Sequence, residues 1–157
     1  MSDQVIVVDD EAAIREAVQQ WLELSGFSVH SCATAQAALA RVDRDYPGII
    51  ISDVRMPGTD GLQLLDSVLE SDRDLPVILI TGHGDVPMAV QALRQGAYDF
   101  IEKPFTPERL LDSVRRALDK RRLVCENRQL RQQFARKDDI EAQLLGVSKP
   151  METLRRQ

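Results

Sequence analysis

The stretch Ile49-Ile50-Ile51-Ser52-Asp53 indicates the fold more directly than any other part of this 157-residue sequence. Its first four residues carry no charge and are mainly apolar, so a strand formed here could be buried on both faces. Such strands lie inside parallel sheets that helices cover on each side. The carboxyl ends of parallel strands form one edge of the sheet, where ligands bind. The stretch therefore predicts a central strand that presents Asp53 at a binding edge.

Three other apolar runs also end in polar or charged side chains. These runs and the residues that follow them are Val5–Val8 with Asp9-Asp10, Val77–Ile80 with Thr81, and Tyr98–Glu102 with Lys103-Pro104. A weaker run, Phe27–Ser31, is expected to form a strand at one edge of the sheet. Helical patterns separate the runs, which is typical of repeated βα units around a parallel sheet. We therefore predict an α/β fold with five parallel strands.

Cap and stop residues delimit the helices between these strands. The predicted helices are Glu11–Ser25, Ala35–Arg44, Gly61–Glu70, Val86–Gln95 and a last helix that begins at Pro107. Thr34, Asp60 and Thr106 can each cap the helix that follows, since short polar side chains bond to its first free amides. Gly26 and Gly96 are suitable helix stops. Asp60 is therefore interpreted as a cap rather than as part of the binding edge.

Two adjacent carboxylates, Asp9 and Asp10, follow the first strand and repel each other unless a cation lies between them. Mg²⁺ suits this position because it prefers oxygen ligands and is commonly held by one or two carboxylates plus phosphate oxygens. The structural alternative is a pair of acids stabilised by the dipole of the following helix. Asp53, at the mouth of a central strand, favours the magnesium interpretation.

Asp53 is also placed to attack phosphorus as a nucleophile. The acyl phosphate so formed would carry negative charge, which Lys103 can neutralise as a point charge. Thr81 can donate a hydroxyl hydrogen bond, and Gly82 has no side chain to obstruct access. Asp53, Lys103 and Thr81 are therefore the candidate catalytic residues, and Thr81, Gly82 and Lys103 the candidate phosphoryl-binding residues. His83 is interpreted as a loop-surface residue rather than a general base.

Composition excludes several broad classes of protein. The chain is 43% hydrophobic and 29% charged, which predicts a packed core and not global disorder. No apolar run is long enough to cross a bilayer, and no basic stretch of the kind that opens a signal peptide precedes Val5. Cys32 and Cys125 lack the spacing of a disulfide framework or metal site. We therefore expect a cytoplasmic location and no membrane partner.

The last predicted helix has no clear end and changes its apolar stripe along its length. Leu123, Asn127, Leu130 and Phe134 are spaced 4, 3 and 4 residues apart, as in a heptad seam with one polar position. We name these four residues the seam. Residues 120–137 carry seven basic residues and one acidic residue, which could bind nucleic acid or be a solvated helix face. Because the basic residues, Arg121 among them, lie off the seam, we predict a coiled coil and no nucleic acid.

These residues together resemble the signature of a bacterial response-regulator receiver domain. The matching positions are Asp9-Asp10, Asp53, Met56-Pro57-Gly58-x-x-Gly61, Thr81-Gly82 and Lys103-Pro104-Phe105. The resemblance covers residues 4 to about 120. It implies a doubly wound, flavodoxin-like sheet with strand order 2-1-3-4-5, followed by an extended C-terminal helix.

The resemblance also implies residue roles. Asp53 would accept a phosphoryl group from a histidine kinase. Asp10, Asp53 and the backbone carbonyl of Arg55 would bind Mg²⁺, with Asp9 assisting through water. Lys103 would contact the phosphoryl group. The chain would therefore not be an enzyme acting on other substrates, since its only chemistry is its own phosphorylation and dephosphorylation.

Activation is expected to shift a population between two states. The receiver resemblance implies that Thr81 moves toward the phosphoryl group and that Phe100 is a rotating aromatic. The surface of the fourth helix and fifth strand would then repack. The same resemblance implies a cis bond between Lys103 and Pro104.

Two stretches bear on the output that the receiver controls. Ile80–Val90 resembles both NtrC-type regulators and FixJ-type regulators with a helix-turn-helix output. The helix containing Glu126-Asn127-x-x-Leu130, and the residues from Leu145-Gly146 onward, resemble the linker and first residues of a sigma-54-dependent AAA+ activator. We therefore predict a receiver at 1–120, a coiled-coil linker at 121–140 and the start of an AAA+ domain at 141–157. Implied partners are a sensor histidine kinase, the AAA+ domain, and a second copy through the linker or the fourth-helix and fifth-strand face.

Two interpretations from other classes remain as alternatives. A metal-dependent aspartyl-phosphate phosphatase would use Asp53 as a covalent nucleophile, but it needs an acid two residues later to protonate the leaving group. Arg55 occupies that position. A purely structural dimerisation module with a degenerate site is the third interpretation, and the intact set of acids argues against it.

Overall fold

The computed structural model describes residues 3–56 and 58–145, with side chains described for all of these except His83 and residues 136–145. The chain divides into two units, Met1–Leu123 and Val124–Gln157. The first unit contains the whole β-sheet. The described part of the second unit is helical.

The elements alternate between strands and helices, as the sequence pattern predicts. In chain order they are β1 Gln4–Val8, α1 Ala12–Leu24, β2 Ser28–Cys32, α2 Ala35–Leu39, β3 Gly48–Asp53, α3 Gly61–Ser71, β4 Val77–Thr81, α4 Val86–Gln95, β5 Asp99–Glu102 and α5 Pro107–Leu145. A short 3₁₀ turn, His83–Asp85, leads into α4. The five strands form one parallel sheet in the order β2-β1-β3-β4-β5. The predicted fold class, strand order and edge position of β2 are confirmed.

Two hydrophobic cores lie on opposite faces of the sheet. Residues of β1, β3 and β4 alternate between them, because successive side chains of a strand point to opposite faces. One core packs these strands against α1 and α5, and includes Val5, Ile51, Val18 and Val114. The other packs them against α2, α3 and α4, and includes Ile6, Ile50, Leu64 and Ala92. Every residue of β3 is buried, so this strand is central and covered on both sides.

Helix α2 is shorter than predicted. It ends at Leu39 rather than Arg44, and the amides of Arg41 and Val42 bond to carbonyls three residues earlier, at 3.0 and 3.3 Å. The carbonyl of Arg44 accepts a hydrogen bond from the distant Arg121 side chain, at 3.1 Å. The predicted end was wrong, since the amides of Arg41 and Val42 leave the α-helical bonding pattern and the chain turns toward Arg121 before β3.

Helix α5 runs from Pro107 to Leu145 and continues through the charged residues Lys137-Asp138-Asp139. The seam residues Leu123, Leu130 and Phe134 are 67%, 53% and 64% exposed, and Asn127 is exposed as well. Arg121 differs from the prediction, since it is fully buried rather than part of a solvated basic face. Among the described residues, no helix combines the length and apolar character needed to cross a bilayer.

Candidate functional site

The carboxyl ends of four neighbouring strands carry the predicted site residues. Asp9 and Asp10 follow β1, Asp53 ends β3, Thr81 ends β4 and Lys103 follows β5. These strands are adjacent in the order β1-β3-β4-β5, and the register pairs Val8 with Ser52 and Asp53 with Ile80. Residues far apart in the sequence are therefore brought to one edge of the sheet.

Three carboxylates form an acidic cluster at this edge. One oxygen each from Asp9, Asp10 and Asp53 lies within 4.8 Å of the others. Asp9 and Asp53 are 2% and 7% exposed, whereas Asp10 is exposed to solvent. Three carboxylates so close repel one another, and a hard divalent cation relieves that repulsion by binding their oxygens.

Asp9 is the most constrained of the three acids. Its Oδ1 accepts a hydrogen bond from the Glu11 amide at 2.9 Å, and its carbonyl accepts one from Arg15 at 2.6 Å. Its Oδ2 is buried and has no hydrogen-bond partner among the described residues. Burial is the main factor that raises the pKa of Asp9, and the nearby Asp53 and Asp10 add to it while the Glu11 amide opposes it. An unpartnered oxygen in an acidic cluster fits the requirements of a Mg²⁺ site.

Asp53 is held by one contact on each carboxylate oxygen. Oδ1 accepts a hydrogen bond from the Arg55 amide at 3.3 Å, and Oδ2 lies 3.3 Å from Nζ of Lys103. The Lys103 amide donates to the Thr81 carbonyl at 2.8 Å, which positions the lysine beside β4. The Lys103–Pro104 bond is cis, as predicted. The carboxylate and the ammonium are thus placed where a phosphoryl group on Asp53 would need a positive charge.

Thr81 ends the strand next to β3, and Phe100 lies on β5 three residues before Lys103. Thr81 is fully buried, and its hydroxyl donates to the Gly82 carbonyl at 3.2 Å. Phe100 is half-buried and packs against the core that contains α4. His83 belongs to the 3₁₀ turn, but its side chain lies outside the described residues, so its role stays a prediction.

The cap at the start of α3 is confirmed and explains why Asp60 does not join the cluster. The Asp60 side chain accepts from the Gln63 amide at 2.9 Å, and the Gln63 side chain accepts from the Asp60 amide at 2.9 Å. This reciprocal pair is a capping box. Asp60 therefore caps the start of α3 and does not contribute a carboxylate to the site.

Gly61 is needed because it packs directly against the end of the strand that carries Asp53. A Cβ at this position would lie 2.5 Å from the Asp53 carbonyl oxygen and 2.8 Å from the Cα of Val54. The Gly61 amide donates to the Val54 carbonyl at 2.8 Å. The sequence motif includes this glycine, but only the structure shows that its role is a close backbone approach.

One contact at the site was not predicted. The Arg55 side chain pairs with Asp85 at 2.5 Å, joining the loop after β3 to the turn after β4. In the sequence, Arg55 is expected to offer its carbonyl to Mg²⁺ and Asp85 has no assigned role. No local signal could reveal the pair, because the residues are 30 positions apart.

Comparison with known proteins agrees with this geometry. Residues 5–115 match the family described as the response regulator receiver domain. The C4-dicarboxylate transport transcriptional regulatory protein DctD of Pseudomonas aeruginosa is 53% identical over 154 residues, covering 98% of this chain and 33% of that protein. DctD of Rhizobium meliloti is 55% identical over 151 residues, covering 96% of this chain and 33% of that protein. The chain thus spans about a third of the length of these relatives.

The match to DctD covers nearly the whole chain, so it includes Thr81–Lys103 and Arg121-Arg122-Leu123-Val124, the stretches whose sequence predicts a DctD-like regulator. Among solved structures, NtrX from Brucella abortus superposes with a TM-score of 0.71 at 38% identity, covering 83% of this chain and 30% of that chain. The structure titled FixJ-N gives a TM-score of 0.68 at 40% identity, covering 76% of this chain and 95% of that one. The chain therefore belongs to the response regulator receiver family and is the receiver portion of a two-component response regulator.

Proposed function

We propose that Asp53 accepts a phosphoryl group from a sensor histidine kinase and thereby switches a transcriptional activator. The observation that carries this proposal is the pairing of Asp53 with Lys103 at 3.3 Å beside the acidic cluster of Asp9 and Asp10. In the proposed site, Mg²⁺ is held by Asp10, Asp53 and the Arg55 carbonyl, and Asp9 assists through water. When bound, the ion neutralises phosphoryl oxygens and orients them toward Asp53.

The proposed transfer is a displacement at phosphorus. A carboxylate oxygen of Asp53 forms a bond to phosphorus, and the bond from phosphorus to the kinase histidine nitrogen breaks. The electron pair of that bond leaves with the histidine, which takes up a proton as needed. Lys103 places its positive charge beside the oxygens of the new acyl phosphate, so the chain acts on itself and not on an external substrate.

The phosphoryl group would then bias the conformation of the sheet edge. The Thr81 hydroxyl donates to the Gly82 carbonyl, and it would exchange this partner for a phosphoryl oxygen. Phe100 would occupy the space that Thr81 vacates and repack the surface formed by α4 and β5. Such a shift requires only that the phosphoryl group favour one of two existing states.

We propose that the output is a sigma-54-dependent activator with an AAA+ domain. The DctD relatives match 98% and 96% of this chain, so the likeness extends through the linker helix. A FixJ protein of Bradyrhizobium diazoefficiens, 42% identical, matches only 73% of it. This difference in coverage favours the sigma-54 output over a FixJ-type helix-turn-helix output. The proposed location is the cytoplasm, where the kinase domain of a sensor would reach the receiver.

Phosphorylation of Asp53 is tested directly. A small phosphodonor with Mg²⁺ should add the mass of one phosphoryl group to the chain, and Asp53→Asn should abolish the addition. Asp66→Asn removes an exposed acid from α3 and is the matched control, which should remain labelled. Persistent labelling of Asp53→Asn would refute the assignment. Turnover of an external phosphoester by the wild type would instead support the phosphatase alternative.

A further inference from the structure

Arg121 is the largest fully buried side chain that carries a charge. Its Nη2 lies 2.8 Å from Oδ2 of Asp72 and 3.1 Å from the Arg44 carbonyl, and its Nε lies 2.9 Å from the Tyr46 carbonyl. Both side chains of the ion pair are 1% exposed. Removing two charges from water is costly, so such a pair is weak evidence for stability. Its presence calls for another explanation.

The partners of Arg121 all lie at the ends of the unit that carries Asp53. Asp72 is the C-cap of α3, and Arg44 and Tyr46 lie in the connection just before β3. At their other ends, β3 terminates in Asp53 and α3 begins with Gly61, which packs against the Asp53 carbonyl. One guanidinium therefore contacts the C-cap of α3 and the connection that leads into β3, the two elements whose other ends meet at Asp53.

Arg121 also lies at a defined point of α5. It precedes Leu123, the last residue of the receiver unit and the first residue of the seam, by two positions. The planar guanidinium donates in fixed directions, so its three contacts specify the position of this helical turn more tightly than apolar packing does. A displacement of β3 or α3 would therefore shift the groups that Arg121 contacts, and with them this turn of α5.

We propose that Arg121 is a positioning residue that links the phosphorylation state of Asp53 to the α5 turn at residues 117–123. The link runs through β3 and α3, and not through Thr81 and Phe100. The inference rests on the proposed function, since it concerns what phosphorylation of Asp53 changes elsewhere. Arg121 itself does not touch the phosphoryl group.

The neighbouring Arg122 offers a matched control. It pairs with Asp3 at 2.7 Å and with Asp119 at 2.8 Å, and its side chain is 38% exposed. Ion pairs at the surface contribute little to stability and hold no buried backbone. Arg121→Met and Arg122→Met make the same chemical change one residue apart, and the methionine of Arg121→Met can fill the buried volume.

The experiment measures hydrogen exchange of the amides at 117–123, with and without beryllofluoride and Mg²⁺, together with phosphodonor labelling of the same 157-residue chains. In the wild type and in Arg122→Met, we expect beryllofluoride to change the exchange rate of these amides about fivefold or more. In Arg121→Met, Asp53 should still be labelled. However, beryllofluoride should then change the exchange rate of these amides by less than about twofold.

A fivefold response retained in Arg121→Met would overturn the proposed link, and so would a labelled wild type without any response at 117–123. Absence of labelling in the wild type would instead overturn the proposed function itself. If Arg121→Met does not fold, Arg121→Lys keeps a positive charge near Asp72 but lacks the planar fork that reaches the Arg44 and Tyr46 carbonyls. The same loss of response is then expected, and a retained response refutes the link.

Discussion

At the scale of single residues, the site is a cluster of negative charges that is only partly neutralised. Asp9, Asp10 and Asp53 bring carboxylate oxygens within 4.8 Å of one another, and Lys103 alone opposes them with a contact to Asp53. Burial adds to the imbalance at Asp9, whose pKa is raised chiefly by its removal from water. Close carboxylates repel one another in the absence of a cation, so we expect the site to be less stable without Mg²⁺ than with it.

This repulsion predicts opposite effects of Asp10→Asn with and without magnesium. Without divalent ions, the substitution should raise the free energy of unfolding by about 0.5–1 kcal/mol, because it removes one of the repelling charges. With millimolar Mg²⁺ the wild type should gain stability, since the ion binds the folded state, whereas Asp10→Asn should not. Urea denaturation followed by circular dichroism measures both effects.

Asp66→Asn serves as the control for this test, because its side chain is exposed on α3 and outside the cluster. It should leave the stabilisation by Mg²⁺ unchanged. If Mg²⁺ stabilises Asp10→Asn as strongly as the wild type, Asp10 is not a ligand of the ion.

The sequence anticipates residues of this site whose chemistry depends on position at a strand end, such as Asp53 and Lys103. It did not anticipate the pairs Arg55 with Asp85 or Arg121 with Asp72. Each pair joins residues from different parts of the fold. In the sequence, a single Arg or Asp is equally compatible with a paired charge and with a solvated surface charge. Only folding selects their partners.

At the scale of elements, β3 and α3 act as one unit around Asp53. The strand is buried along its whole length, and the capping box of Asp60 and Gln63 starts the helix at a defined residue. Gly61 then allows the first turn of the helix to approach the Asp53 backbone. The unit holds Asp53, the proposed phosphoacceptor, at a defined position in the site.

Gly61→Ala should destabilise the fold by about 1–3 kcal/mol, because the new Cβ overlaps the Asp53 carbonyl oxygen. Alanine is better than glycine in a helix by about 1 kcal/mol, but this gain does not offset an overlap with backbone atoms. Chemical denaturation should detect the loss, and phosphodonor labelling of Asp53 should slow as well.

Gly84→Ala provides the comparison, since a Cβ there meets no atom within 4 Å. Its free energy of unfolding should stay within about 0.5 kcal/mol of the wild type. Equal stability of the Gly61→Ala and Gly84→Ala variants would show that the close approach of α3 to Asp53 is not required.

The elements also show where local patterns fail. Strands and helices with strong periodicity, such as β3 and α4, were predicted to within one or two residues. The end of α2 was not, because the chain turns after Leu39 and places the Arg44 and Tyr46 carbonyls against the Arg121 side chain, which the local pattern does not indicate. Such a contact depends on a side chain more than 70 residues away.

At the scale of the whole molecule, the receiver unit and the seam differ in how far their apolar side chains are buried. The sheet buries its apolar side chains within one chain, whereas Leu123, Leu130 and Phe134 remain largely exposed on α5. Exposed apolar residues at heptad spacing are typical of a helix that pairs with another helix. A second copy of this chain is the proposed partner.

Replacing both Leu130 and Phe134 with glutamate should therefore convert a dimer to a monomer, because four added charges in the paired seam are repulsive. Light scattering coupled to size exclusion measures the mass of each form. The substitutions should leave labelling of Asp53 intact, since the site lies entirely within the receiver unit.

A double change of Gln129 and Gln132 to glutamate adds the same charge to exposed positions off the seam, and it should leave the mass unchanged. A monomeric wild type, with and without a phosphodonor, would refute the proposed pairing through the seam. A dimer that survives the Leu130 and Phe134 substitutions would point instead to the face formed by α4 and β5.

The sequence by itself determined the α/β class, the five strands, the helix caps and which residues meet at the binding edge. These features depend on periodicity and on residue types at strand ends, which are local properties of the chain. The tertiary structure decided that Arg121 is buried against Asp72, that α2 ends early, and that Gly61 packs on Asp53. These features depend on long-range contacts. Burying a polar group costs free energy, and only a partner that folding brings close to it offsets that cost.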